Sequence, residues 1–174
     1  MDELLHIQDR FYRMSNIASF IADVLKKNNV KIAIAELCTG GLISAMINQI
    51  PKSSEILERT IITCSDQTII KLLEIDKSII QKNTLISREA TIAIARGIAK
   101  SAKVDIALAV VGELNDYSKI YLDQEAFIAL FFKGEVHCLK YYFFGSRIEI
   151  IFSITEKSLE YVLGIISEHF NIIN

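Results

Sequence analysis

Leu4, Ile7, Phe11, Met14, Ala18, Ile21 and Leu25 recur at alternating steps of three and four. That spacing sets them on one face of a helix and predicts a long helix at the start of the chain. Asp2 serves as its N-cap and Asn28-Asn29 ends it. KIAIA (31–35) is too short and too apolar for a helix and predicts a strand covered on both faces. Gly40-Gly41 then opens a second helix through Asn48, stopped by the only proline, Pro51.

RTIITC (59–64) predicts the next strand, with Ser65 or Asp66 capping a helix that carries Ile69, Ile70, Leu72 and Leu73. Ser87 with Glu89 starts a further helix. Its Ala90, Ala93, Ile94, Gly97 and Ile98 make a small-residue face suited to close packing on a sheet. VDIALAVVG (104–112) is the most apolar strand and is expected at the centre, followed by a polar loop over 113–123. AFIALFF (126–132) and EVHCLKYYFF (135–144), joined by Lys133-Gly134, predict an antiparallel hairpin. RIEIIFSIT favours a strand by propensity. However, Ile148, Phe152, Thr155, Leu159, Leu163, Ile166 and Phe170 keep helical spacing, so a closing helix is expected from about Arg147, capped by Ser146. The expected fold is α/β, a three-layer α/β/α sandwich with a mixed sheet. One domain spans 1–174, with the helix of 1–29 packed onto it.

Composition narrows the function classes. With 174 residues, half of them apolar, the chain can bury one full core. A net charge of -2 without a lysine–arginine block gives no footing for nucleic acid. No apolar run reaches the roughly 18 residues that span a bilayer, and the acidic start is unlike a signal peptide. A cytoplasmic protein without membrane contact is expected. The cysteines at 38, 64 and 138 are odd in number and widely spaced with no CxxC pair, so neither a disulfide framework nor a zinc site is indicated. His6, His137 and His169 are not in ligand spacing with them. Asp105, Glu113, Asn115 and Asp116 read as a solvated acidic loop rather than a cation site. No metal and no cofactor are expected.

The candidate chemistry is at AELCTGG (35–41), where a strand end turns through two glycines into a helix. Backbone N–H groups at such a turn can stabilise an anion or oxyanion, and the glycines let a ligand approach. AELCTGGLISAMINQIPKSS resembles the AESCTGGL…PGSS signature of the CinA C-terminal domain family. The likeness continues through TIITCSDQTIIKLLEI (the family's TYSNxxK…LLGV), LISREATIAIARGIAK (AVSEEVA…MA.G), VDIALAVVG (the strand leading to TGIAGP) and YFFGSRIEIIFSITEKSLEYVL (FxGDR…R…AL). The resemblance implies that family's fold and, in its active members, hydrolysis of the amide of nicotinamide mononucleotide.

At the family's catalytic positions this chain has other residues. Leu37 stands where the resemblance implies the nucleophilic serine, Cys64 where it implies a tyrosine, and Ile69 where it implies the activating lysine. VGELND (111–116) replaces TGIAGP and keeps only Gly112, and Lys52 stands at the glycine of PGSS. Covalent amide hydrolysis needs a nucleophile, a proton acceptor and oxyanion donors, and such groups act as a unit. The expectation is therefore a degenerate homologue, a pseudoenzyme kept for nucleotide binding or structure. Ligand-binding positions carried by the turn and the resemblance are Glu36, Thr39, Gly40, Gly41, Gly112 and Arg147. Thr39 is expected to cap the helix, and Glu36 to hold the turn. The alternative is an amidohydrolase using Cys38 as a substitute nucleophile. The expected partners are a nicotinamide nucleotide and a second copy of the chain in a homo-oligomer, with the Tyr141-Tyr142-Phe143-Phe144 run at a core or subunit contact.

Overall fold

The computed structural model describes residues 2–114 and 122–171. In chain order they form α1 (Asp2–Lys27), β1 (Ile32–Glu36), α2 (Leu42–Asn48), a 3₁₀ turn (Ser53–Glu55), β2 (Leu57–Ile62), α3 (Asp66–Leu73) and α4 (Lys77–Asn83). These are followed by α5 (Arg88–Ala102), β3 (Ile106–Gly112), β4 (Leu122–Phe132), β5 (Glu135–Gly145) and α6 (Arg147–His169). The five strands make one sheet in the order β2-β1-β3-β4-β5. The β1–β2 and β1–β3 pairs are parallel, whereas β3–β4 and β4–β5 are antiparallel.

The inner strands β1, β3 and β4 alternate their side chains between two apolar layers. Ile32, Ile34, Ile106, Leu108, Val110, Ile128 and Leu130 face α1, α2 and α6. Ala33, Ala35, Ala107, Ala109, Val111 and Ala129 face the layer of α3, α4 and α5. The alanines on that second face bring α5 close to the sheet. This is the expected α/β sandwich with a mixed sheet, and β3 is its central strand. The hairpin and the closing helix also lie where the sequence pattern puts them. Ser146 and Glu149 form a reciprocal capping box at the start of α6. The Ser146 hydroxyl and N–H hold the Glu149 carboxyl below its usual pKa.

Three local expectations are corrected and one further helix is added. β4 begins at Leu122 and not Ala126, because β5 is long enough to pair Leu122–Glu125 with Tyr142–Gly145. A separate helix, α4, follows α3 and is capped by Asp76. On α5, Gly97 meets Leu73 of α3 rather than the sheet, so part of the small-residue face serves helix–helix approach. On α1, Met14, Ala18, Ile21 and Leu25 are buried, but Phe11 of the same stripe is 42% exposed. The seven-residue α2 is about 10 Å long and covers only part of a helix of about 39 Å. The first turns of α1 are instead tied to α6 by Arg10 and Arg13, which reach Glu156 at 3.1 and 2.6 Å.

Candidate functional site

β1 connects towards β2 on one side, while its other neighbour, β3, continues towards β4 and β5. The carboxyl ends of β1 and β3 therefore flank a switch point of the topology, where open α/β sheets form their crevices. The AELCTGG turn lies there. Gly40 and Gly41 take positive φ angles of 64° and 94°, a region that costs little only for glycine. At Gly41 a β-carbon would also come within 2.7 Å of Ile62 Cδ1. At Gly112, across the crevice on β3, it would lie 3.0 Å from Ala126 Cβ and 3.3 Å from Cys38 Sγ. Lys52 likewise has a positive φ, 61°, where the resembled motif has glycine.

Glu36 is fully buried, and its carboxylate is occupied by the protein's own donors. It accepts from the Ser44 N–H at 2.7 Å, the Ile43 N–H at 3.1 Å, the Thr39 hydroxyl at 2.6 Å and the Ser44 hydroxyl. An internal anion thus sits at the start of α2 and satisfies N–H groups that a bound anion would otherwise use. Thr39 is placed differently from the expected cap. Its hydroxyl donates to Glu36, its carbonyl accepts from the Leu42 N–H, and the N-cap position is Gly41, so Glu36 takes the next N–H groups of α2.

Leu37 is 6% exposed and Ile69 0%, and the two belong to one apolar cluster with Leu73, Ile75 and Ile94. Leu37 also reaches the wall of a cavity of about 190 Å³ at the strand ends. Cys38, Cys64, Gly112 and Arg147 line the same cavity, so residues separated by more than a hundred positions converge there. Leu85, Ile86, Leu114 and Ile151 also line it, and nothing in their local sequence marks them for this role. Arg147 Nη1 donates to the Leu114 carbonyl at the edge of the cavity. Asn115 and Asp116 of the acidic loop lie outside the described residues.

Burial pushes the Cys38 thiol up to about 12, with smaller contributions from the Glu36 carboxylate and Cys64. Burial likewise pushes Cys138 up to about 11, against the opposing pull of Arg88. Such thiols hold little thiolate near neutrality and are poor nucleophiles. Cys64 is exposed. Iodoacetamide at pH 7.5 is therefore expected to label Cys64 first, with Cys38 and Cys138 at least tenfold slower until the chain is unfolded, as read by peptide mass mapping. Among the described residues no three His, Cys, Asp or Glu side chains are grouped to hold a metal, and no helix is long and apolar enough to cross a membrane.

The family model for the CinA C-terminal domain matches residues 14–166. The chain belongs to the CinA C-terminal domain family. It is 31% identical over 136 residues to a relative from Clostridium botulinum (strain Loch Maree / Type A3) named as competence-damage inducible; the match covers 76% of this chain and 33% of the relative. A CinA-like protein of Kosmotoga olearia is 34% identical over 97 residues, covering 56% of this chain and 24% of its own length. The chain thus spans about a third or less of these relatives. A solved competence or damage-inducible protein from Enterobacter asburiae superposes with a TM-score of 0.80 at 21% identity, over 88% of this chain and 98% of that one. A CinA superfamily protein from Escherichia coli gives 0.78 at 18% identity, over 87% and 90%. At these identities the CinA structures establish the shared fold, and the chemistry rests on the residues.

Proposed function

We propose that this chain is a non-hydrolysing CinA C-terminal domain, retained for binding or structure after losing the family's amide chemistry. The observation that carries the reading is the joint burial of Leu37 and Ile69 in one apolar cluster. These are the positions where the resemblance implies the nucleophile and its activating lysine. Core side chains now fill them and offer neither attack nor proton transfer. Cys38 does not make good the loss, since its thiol is held protonated by burial. The cavity of about 190 Å³ is below the roughly 300–1,000 Å³ of sites that enclose drug-sized ligands, which favours a structural role over an enclosed nicotinamide nucleotide. The test is addition of nicotinamide mononucleotide to the purified protein, with heat of binding and ammonia followed together. Absence of ammonia supports the reading, and heat without ammonia assigns the retained role to nucleotide binding.

A second reading, a self-associating module, is favoured by β5. This strand of eleven residues forms one edge of the sheet and exposes Leu139 and, at 70%, Tyr142. Light scattering at micromolar concentration is expected to give the mass of a dimer. A monomer mass removes this reading.

A further inference from the structure

We propose that Cys38 and Cys64 form a reversible disulfide across the cavity at the strand ends, making Cys64 a site of thiol oxidation. The register of the sheet places them. β1 and β2 pair Ala35 with Ile61 and Glu36 with Ile62, and the ladder runs one step further through the Thr63 N–H to the Glu36 carbonyl at 3.2 Å. Counting two residues on from Glu36 and Ile62 brings Cys38 level with Cys64, and both line the same cavity. Paired residues of parallel strands point to the same side of the sheet and stand about 4.8 Å apart, within the Cα separation of roughly 4.4–6.8 Å that a disulfide spans. The other side of β1 verifies the count. There Glu36 pairs with Val110, so Cys38 falls opposite Gly112, and its sulfur is 3.3 Å from the position of a β-carbon on that glycine. Cys38, in the bend after β1, thus still lies alongside β3. Its sulfur leans towards β3 and must turn about χ1 to meet Cys64, and the cavity that both residues line provides the space.

Access orders the chemistry. Cys64 is exposed in the bend between β2 and α3, whereas Cys38 is partly buried. With a low-molecular-weight disulfide such as oxidised glutathione, the Cys64 thiolate attacks one sulfur and the glutathione S–S bond breaks. One glutathione thiolate leaves and takes up a proton. Burial holds the Cys38 thiol protonated and makes the next step the slow one: the thiol gives its proton to water and attacks the Cys64 sulfur, expelling the second glutathione thiolate, which is protonated in turn. Two protein thiols are oxidised and one glutathione disulfide is reduced to two thiols. The bond ties the turn before α2 to the segment before α3 and obstructs the cavity between them.

The proposal needs only the two thiols and not the loss of hydrolysis, so the two readings fail separately. The test is incubation of the full chain with oxidised glutathione, acid quenching and intact-mass and peptide mapping. Expected is loss of two hydrogens with a Cys38–Cys64 cross-linked peptide, reversed by dithiothreitol. In Cys38→Ser the glutathione adduct on Cys64 is expected to persist, and in Cys64→Ser no intramolecular bond forms. Either variant suffices if the other does not fold. A wild-type chain that stays unmodified, keeps its adduct on Cys64, or links either cysteine to Cys138 overturns the proposal.

Discussion

Glu36→Ala is expected to destabilise the fold by about 3–5 kcal/mol, read as a lower midpoint in urea denaturation. The carboxylate lies in the core and takes four donors, two of them the Ile43 and Ser44 N–H groups at the start of α2. Alanine removes every acceptor at once and leaves those donors buried without partners. Natural domains of this size have only about 5–15 kcal/mol in hand, so a large part of the stability would be lost. Glu36→Gln keeps one acceptor oxygen and is expected to recover part of the loss. A variant within about 1 kcal/mol of wild type would show that water or backbone rearrangement replaces the carboxylate. The same substitution bears on function, because the internal anion at α2 would be gone and the turn left open to an external one.

Ile69→Lys, which restores the residue type implied by the family resemblance, is expected to cost about 4–5 kcal/mol at pH 7. Ile69 has no solvent exposure and does not line the cavity, so an ammonium there has no route to water. Such a lysine is neutral in the folded state, its pKa driven down from about 10.4, and each unit between that value and the working pH costs about 1.4 kcal/mol. The sign follows directly: the unfolded chain binds the proton and the folded one does not, so the penalty shrinks as pH rises from 7 towards 10. Urea melts at those two pH values check both the size and the direction. A loss below about 1 kcal/mol at pH 7 would mean that the lysine reaches the crevice after all. Leu37→Ser is expected to be milder, because Leu37 touches the cavity and a hydroxyl there can meet water.

The strands, the hairpin and the closing helix were legible because each carries its own local signal. Lys133-Gly134 marks the hairpin turn, and Ser146 followed by Glu149 marks the start of α6. Phe11 misled because a helical stripe is read from one element, while its burial depends on how far the partner helix extends. α4 is short, and its cap at Asp76 precedes no strong apolar period. At the site, the substitutions were plain in the sequence, including Leu37 and Ile69. Their consequence for the chemistry was legible too, through the family resemblance; what only the folded chain shows is that residue 37 and residue 69 pack into one apolar cluster. That Glu36 holds the turn was legible, but the donors it takes were not. Its partners are three, seven and eight positions away and meet it only when the turn folds back.

The most direct test of the central claim is ammonia release from nicotinamide mononucleotide, measured with protein at substrate-like concentration and with an active family member run alongside. The account predicts no release above the protein-free control while the active member turns over. Release by this chain at a comparable rate, abolished by Cys38→Ser or by any other single substitution in the crevice, would contradict it.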